Sequence, residues 1–342
     1  MSTHRMLVTL VALCLLAGCA RPPNPGAGSA ATPGTQHAVK VALVAKSLGN
    51  GFFDAVHKGG VEAAQSLGQV ELIFTGPTSP TAEGQIEVLN ALISQHVDAI
   101  ALSANDPDAL VPTLQRAAQR GIKVITYDSG VAPAGRLVHL APSSDELIGQ
   151  TCVQLAADAI ANGHGKFAIL SATPTSTNQN SWIAAMKRAL PAHPELTLVA
   201  VVYGDDLADK SYREAVALLR KFPDLAVIVS PSSVGIVATA KAVEDEGRVG
   251  KVFVTGLGLP SEMAGHVAAG SVRSFAIWNP IDLGYAAVQL AVRIARGAAA
   301  GANSSVRIGR LGTVQFDATG TGPMAKPFVY DKSNIGQFAG IF

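Results

Sequence analysis

The sequence predicts an α/β protein whose strands and helices alternate and form two lobes, each built on a parallel sheet. Short apolar runs rich in β-branched residues recur along the chain, and a turn and a helical stretch follow each run. Runs without polar alternation are typical of strands buried on both faces, and strands that alternate with helices form parallel sheets. With 342 residues, of which 48% are hydrophobic, the chain is long and apolar enough for two cores.

The predicted elements begin at residue 39. The strands cover residues 39–45, 70–75, 97–103, 122–127, 167–171, 198–203, 226–230 and 252–256. The helices between them cover residues 53–67, 81–94, 109–120, 144–161, 180–190, 209–222 and 234–246. Units of this kind could close one barrel or split into two open sheets.

Two stretches favour the split into two sheets. Residues 130–144 are polar and contain a short extended piece at 137–140, and an extended piece at 273–277 runs into Trp278, Asn279 and Pro280. Each is typical of a strand that crosses between lobes. A helix over 282–296 then returns to the first lobe, and a loop at 297–305 leads through a last crossing to a strand at 313–316.

These crossings predict a three-strand hinge and define the lobes. We expect residues 39–138 and 278–303 in the first lobe, residues 139–277 and 304–342 in the second, and a ligand cleft between them.

The N-terminus predicts export and a lipid anchor. An apolar run at residues 6–16 is too short to span a bilayer and is typical of a secretory signal. It ends in small residues before Cys19, which resembles a bacterial lipobox. We expect residues 1–18 to be removed, Cys19 to carry lipid, and residues 19–38 to form a flexible tether on the extracytoplasmic face. The alternative is an ordinary signal in which Cys19 is incidental. Cys152 is predicted to be a buried apolar residue.

Composition and motifs argue against several other classes of protein. The formal net charge of +1 does not suit a nucleic-acid-binding protein. The chain lacks a P-loop, a nucleophile elbow and the His or Cys spacing of a zinc site, so we expect no cofactor and no metal. The cluster of Asp205, Asp206 and Asp209 predicts a turn and a helix cap in preference to a calcium loop.

Polar and aromatic residues follow the predicted strands, where ligands bind in open parallel sheets. Carboxylates and amides can pair with adjacent hydroxyls, and aromatic faces pack on the C–H side of a sugar ring, so the mixture suits a polyol. Taken singly, an Asp or Asn in such a place is often a helix cap, and a Trp often belongs to the core. The candidate ligand residues are Lys46, Phe52, Phe53, Asn105, Asp106, Asp128, Asn178, Gln179, Trp182, Pro231, Ser232, Ser233, Leu257 and Asn279.

Several of these residues lie in stretches that resemble the sugar-binding type 1 periplasmic binding proteins of ABC importers. The stretches are residues 44–53, 103–110, 126–129, 174–182 and 256–263, and the resemblance extends from residue 39 to the C-terminus. It is closest to rhamnose-binding proteins, with autoinducer-2-binding proteins as the nearest relatives.

The resemblance carries over to individual positions. Residues that match ligand-contacting positions of autoinducer-2 binders are Lys46, Asp128, Gln179 and Pro231. Ser233 replaces an Ala, and Asn178 and Asn279 replace acids, which changes the hydroxyl pattern that the site satisfies. Leu257 stands where ribose binders have an Asp, which disfavours ribose.

The resemblance implies a non-catalytic, monomeric, lipid-anchored receptor. It would close on a monosaccharide, with L-rhamnose favoured, and deliver it to an ABC permease. An autoinducer-2 receptor stays open as an alternative. A glycosidase using Asp106 and Asp128 is a remote one, because both follow strands of the same lobe without a catalytic motif. A transcriptional regulator of this fold would need a helix-turn-helix where this chain has its signal and tether.

Overall fold

The computed structural model describes residues 38–160 and 163–342, which form two parallel β-sheets flanked by helices. The predicted signal, the tether and Cys19 lie outside the described residues. Within these two ranges, no helix has the length and apolar character needed to cross a membrane.

The elements follow the predicted alternation. The first are β1 (Val39–Val44), α1 (Gly51–Leu67), β2 (Val70–Thr75), α2 (Ala82–Ser94), β3 (Ala99–Leu102), α3 (Val111–Gln119), β4 (Lys123–Tyr127) and β5 (His139–Ala141). Next come α4 (Asp145–Ala159), β6 (Gly165–Ser171), α5 (Thr177–Ala189), β7 (Leu196–Tyr203), α6 (Ala208–Lys221), β8 (Leu225–Ser230), α7 (Ser233–Asp245) and β9 (Phe253–Gly256). The last are α8 (Pro260–Ala269), β10 (Ser274–Ile277), α9 (Pro280–Ala295), β11 (Ser305–Arg307), β12 (Thr313–Gln315), β13 (Thr321–Pro323) and β14 (Phe328–Asp331).

Each lobe has its own sheet. The first sheet is six-stranded in the order β13-β5-β4-β3-β1-β2, and every pairing in it is parallel. The second has the order β7-β6-β8-β9, also parallel. A bridge between Leu257 and Ala276 brings β10 beside β9, and β10 pairs antiparallel with β14. The predicted two-lobed α/β fold is confirmed.

The chain passes between the lobes at residues 142–144, 278–279 and 324–327. The lobe boundaries differ from the prediction, because β5 and the edge strand β13 belong to the first sheet. His139 pairs with Thr126 on one side and with Thr321 on the other. Residues 139–141 and 321–323 therefore belong to the first lobe, and the first crossing comes after Ala141. The helix α8 had no counterpart among the predicted elements.

The two longest helices of the first lobe pack with their backbones in contact. A Cβ on Gly59 of α1 would lie 1.8 Å from the carbonyl oxygen of Ile281, and one on Gly284 of α9 would lie 1.8 Å from that of Val56. Both glycines are therefore required by the close approach of α1 and α9. Since α9 also contacts β1, β3 and β4, this contact fastens the returning helix to the first sheet.

We expect Gly59→Ala and Gly284→Ala each to lower the free energy of unfolding by about 1–3 kcal/mol or more, because the added methyl forces two helices apart. Urea denaturation followed by circular dichroism measures the change. Gly265→Ala is the matched control, since Gly265 lies in α8 and a Cβ added there would have no atom of a neighbouring element within 4 Å. There the gain in helix propensity should raise stability by up to about 1 kcal/mol. Equal effects at all three positions would contradict the close packing.

Candidate functional site

A ligand-sized cavity lies between the lobes at the carboxyl ends of the parallel strands. Lys46 follows β1 and Asp128 follows β4, while Pro231 follows β8 and Leu257 follows β9. Both sheets therefore point their carboxyl ends at one space, which is where open α/β sheets bind ligands. The lining residues are Lys46, Asn50, Phe52, Phe53, Asp128, Asn178, Gln179, Trp182, Asp206, Pro231, Ser233, Leu257, Ile277 and Trp278.

Hydrogen bonds join the two lobes across this cavity. The Lys46 ammonium donates to Asn178 Oδ1 at 2.9 Å and to Ser176 Oγ at 2.8 Å. Asn178 Nδ2 donates to Asp128 Oδ1 at 3.0 Å. Lys46 and Asp128 belong to the first lobe, whereas Ser176 and Asn178 begin α5 in the second. Asn178 therefore accepts from a cation and donates to an anion of the opposite lobe.

Burial dominates the electrostatics of the charged pair. It lowers the pKa of Lys46, while the negative charges of Asp128 and Asp206 act in the opposite direction. Burial likewise raises the pKa of Asp128, opposed by the charge of Lys46 and by hydrogen bonds from Ser103 and Asn178. Charged groups in such surroundings are stable only when paired and hydrogen-bonded. The carboxylates retain acceptor capacity that sugar hydroxyls can use.

Aromatic rings form the apolar part of the cavity. Phe52 meets Phe53 edge-to-face with centroids 5.2 Å apart, and Trp278 meets Phe52 at 6.1 Å and Trp182 at 5.6 Å in the same manner. The indole of Trp182 donates from Nε1 to Asp145 Oδ1 at 3.0 Å, which fixes that ring. A cavity with aromatic walls and paired charges matches a ring that carries C–H groups on its faces and hydroxyls at its edge.

Gln179 is held by its carbonyl end. Its Oε1 accepts from Ser171 Oγ at 2.7 Å and from the backbone N–H of Ala172 at 2.8 Å. Within the described ranges, Nε2 has no hydrogen-bonded protein acceptor, so this end of the amide can donate to a ligand. No group of three or more His, Cys, Asp or Glu side chains in the described part of the chain is placed to hold a metal ion.

Most of the predicted candidates line the cavity, but Asn105, Asp106, Ser232 and Asn279 do not. Asn105 donates from Nδ2 to the backbone oxygen of Lys46 and so supports the site from behind. Asp106 accepts from two backbone N–H groups of its own loop. Ser232 and Asn279 cap α7 and α9. For these last three, the helix-cap or turn role is the one that the structure shows.

Sequence reasoning missed Asn50, Asp206, Ile277 and Trp278 as lining residues. Asp206 follows β7 in a turn where it has φ 53°, and its carboxylate accepts from Ser232 Oγ. Applying the strand-end rule to β7, as to the other strands, would have found it. Trp278 was recognised as part of a crossing, but a single Trp there was taken to belong more often to the core than to a site, although crossings of a hinge border the cleft.

The family described as periplasmic binding protein domain matches residues 41–299. The chain belongs to the periplasmic binding protein family. An L-rhamnose-bound ABC transporter solute-binding protein from Clostridium phytofermentas is 35% identical to this binding protein, with a TM-score of 0.85 over 89% of this chain and 99% of that one.

Other similar proteins bind other ligands. The D-allose-binding periplasmic protein of Escherichia coli is 25% identical over 75% of this chain and 84% of its own length. The D-ribose/D-allose-binding protein of Pseudomonas aeruginosa is 28% identical over 64% of this chain and 70% of its own. LsrB from Clostridium saccharobutylicum in complex with AI-2 is 24% identical, with a TM-score of 0.83 over 88% of this chain and 99% of that one, and shares the fold. These relatives are solute-binding proteins, and this chain is a sugar-binding component of an ABC transporter and not an enzyme.

We expect Asn178→Leu to open the cleft of the ligand-free protein. The substitution keeps the side-chain size but removes the bonds to Lys46 and Asp128, and hydrogen bonds to charged groups each contribute about 1.5–3 kcal/mol. Small-angle X-ray scattering should give a larger radius of gyration than for the wild type. Asn180→Leu is the control, because Asn180 lies on the same helix and, among the described residues, its side chain bonds only to the backbone oxygen of Pro174. An unchanged radius for Asn178→Leu would contradict a role in holding the lobes together.

Proposed function

We propose that this binding protein captures a monosaccharide, with L-rhamnose favoured, and delivers it to an ABC permease. The arrangement of Lys46, Asp128 and Asn178 beside an aromatic wall carries the proposal, because it offers charged and amide groups to hydroxyls in the cavity between the lobes. The 35% identity to an L-rhamnose-bound relative over nearly the whole chain supports the choice of sugar.

The apolar side of the cavity also suits a deoxy sugar. Leu257, Ile277 and Phe52 line it together with Trp278. Rhamnose carries a methyl group where hexoses such as allose carry a hydroxymethyl group. An apolar lining gains from burying the methyl, which favours the deoxy sugar.

An autoinducer-2 receptor is the second candidate. Lys46, Asp128, Gln179 and Pro231, which match contact positions of autoinducer-2 binders, all line the cavity. The amide of Asn178 argues against this candidate, because it stands where autoinducer-2 binders have an acid. Both polar ends of the amide already bond across the cleft, and an acid at this position would face the carboxylate of Asp128.

We expect Asp128→Ala to weaken sugar binding about ten- to a hundred-fold, as the loss of a charged hydrogen-bonding group implies. Calorimetry of the mature chain with L-rhamnose, D-allose, D-ribose, D-arabinose and autoinducer-2 measures this. Asp106→Ala is the matched control, since Asp106 also follows a strand but bonds to its own loop. The sugar affinity of this variant should stay within twofold of the wild-type affinity. If the wild type prefers autoinducer-2 to every sugar, the second candidate is correct. Loss of binding in Asp106→Ala alone would contradict the proposed site.

We also propose that Cys19 carries the lipid that anchors the protein to the membrane. Cys19→Ala should abolish metabolic labelling with a radioactive fatty acid and leave the signal uncleaved at that point. Cys152→Ala serves as the control and should label normally, because Cys152 is a buried thiol in α4 whose pKa burial raises to about 12. Fatty-acid label that persists in Cys19→Ala would exclude this anchor.

A further inference from the structure

We propose that the indole N–H of Trp278 donates a hydrogen bond to an oxygen of the bound sugar and thereby helps to select it. The inference rests on the proposed function and assigns a specificity role to a residue that the candidate set did not contain.

The indole nitrogen of Trp278 is buried without a partner. The side chain is 4% exposed and lines the ligand cavity. Among the described residues, no protein atom accepts a hydrogen bond from its Nε1, whereas the neighbouring Trp182 donates to Asp145. Buried donors are nearly always paired in native proteins, and an unpaired one in a ligand cavity is paired when a ligand acceptor reaches it.

The position of the Trp278 ring is fixed before ligand binds. Its ring meets Phe52 and Trp182 edge-to-face, at centroid distances of 6.1 and 5.6 Å. Ile277 and Leu257, which also line the cavity, bring no side-chain acceptor. A donor held in this way discriminates between ligands that place an oxygen beside it and ligands that do not.

The donor also lies on a connection between the lobes. Trp278 and Asn279 form the passage from β10 to α9. A ligand that bonds to Trp278 is therefore tied to the hinge as well as to the lobe faces that carry Asp128 and Gln179. The Trp278 donor and its apolar neighbours therefore favour a sugar that has an acceptor oxygen next to an apolar edge. A sugar that lacks this oxygen gains no binding energy from the N–H group.

The test replaces the N–H without changing the ring shape. Site-specific incorporation of benzothienylalanine at position 278 of the intact chain exchanges the Trp278 N–H for sulfur and leaves Trp182 in place. Calorimetry with L-rhamnose should show roughly tenfold weaker binding than the wild type, the size expected for one lost hydrogen bond. Equal affinities would overturn the inference.

A series of monodeoxy-rhamnoses identifies the oxygen. For one analogue, the sulfur-containing and ordinary proteins should bind within twofold of each other, because the acceptor is gone. A tenfold loss that persists for every analogue would mean that the N–H acts on the fold and would also overturn the inference. Trp278→Phe in the intact chain is titrated in parallel, and undiminished L-rhamnose affinity there would be a third contradiction.

The outcomes separate the two proposals. A wild type that binds none of the sugars would overturn the proposed function and this inference with it. A wild type that binds L-rhamnose, with unchanged affinity in the sulfur-containing protein, would overturn the inference alone.

Discussion

The buried charges of Lys46 and Asp128 depend on partners from the opposite lobe. The Asn178 amide accepts a hydrogen bond from Lys46 and donates one to Asp128, and Ser176 Oγ accepts a second hydrogen bond from the Lys46 ammonium. An amide suits this place because only a group with both a donor and an acceptor can serve a cation and an anion at once. The first lobe thus holds charges that are fully hydrogen-bonded only when the second lobe covers them.

The rest of the architecture positions those few atoms. The parallel strands of both sheets end at the cleft, so the residues after them meet in one space. Asp128 leaves β4 with φ 57°, a left-handed conformation that is uncommon for a residue other than glycine, although Asp adopts it more readily than most residues. Behind it, Ser103 donates to the second carboxylate oxygen at 2.7 Å, so the carboxylate is fixed on both oxygens before any ligand arrives.

Local patterns in the sequence predicted most of the fold, and the failures have physical causes. Buried parallel strands are continuous apolar runs, and for that reason β2 was predicted at its observed ends and most other strands to within two residues. The strand β13 has no such pattern, since it spans three residues and its partner β5 lies far away in the chain. An extended piece that overlaps β5 was predicted at residues 137–140, but it was assigned to a crossing between the lobes. Asp106 and Asp128 could not be distinguished locally, since both follow a strand. The difference is that one carboxylate turns back to its own loop and the other faces the opposite lobe.

The edge strand β13 has a consequence for the order in which the protein folds during its synthesis. It occupies residues Thr321–Pro323, close to the end of the chain, yet it completes the sheet that begins at Val39. Chains emerge from the ribosome or a translocation channel from the N-terminus onward, and domains tend to fold in that order. In this protein the strands of the first lobe emerge first, but the free edge of β5 is covered only after β13 has emerged near the end of the chain. The first lobe therefore becomes complete only after nearly all of its own residues and those of the second lobe have emerged.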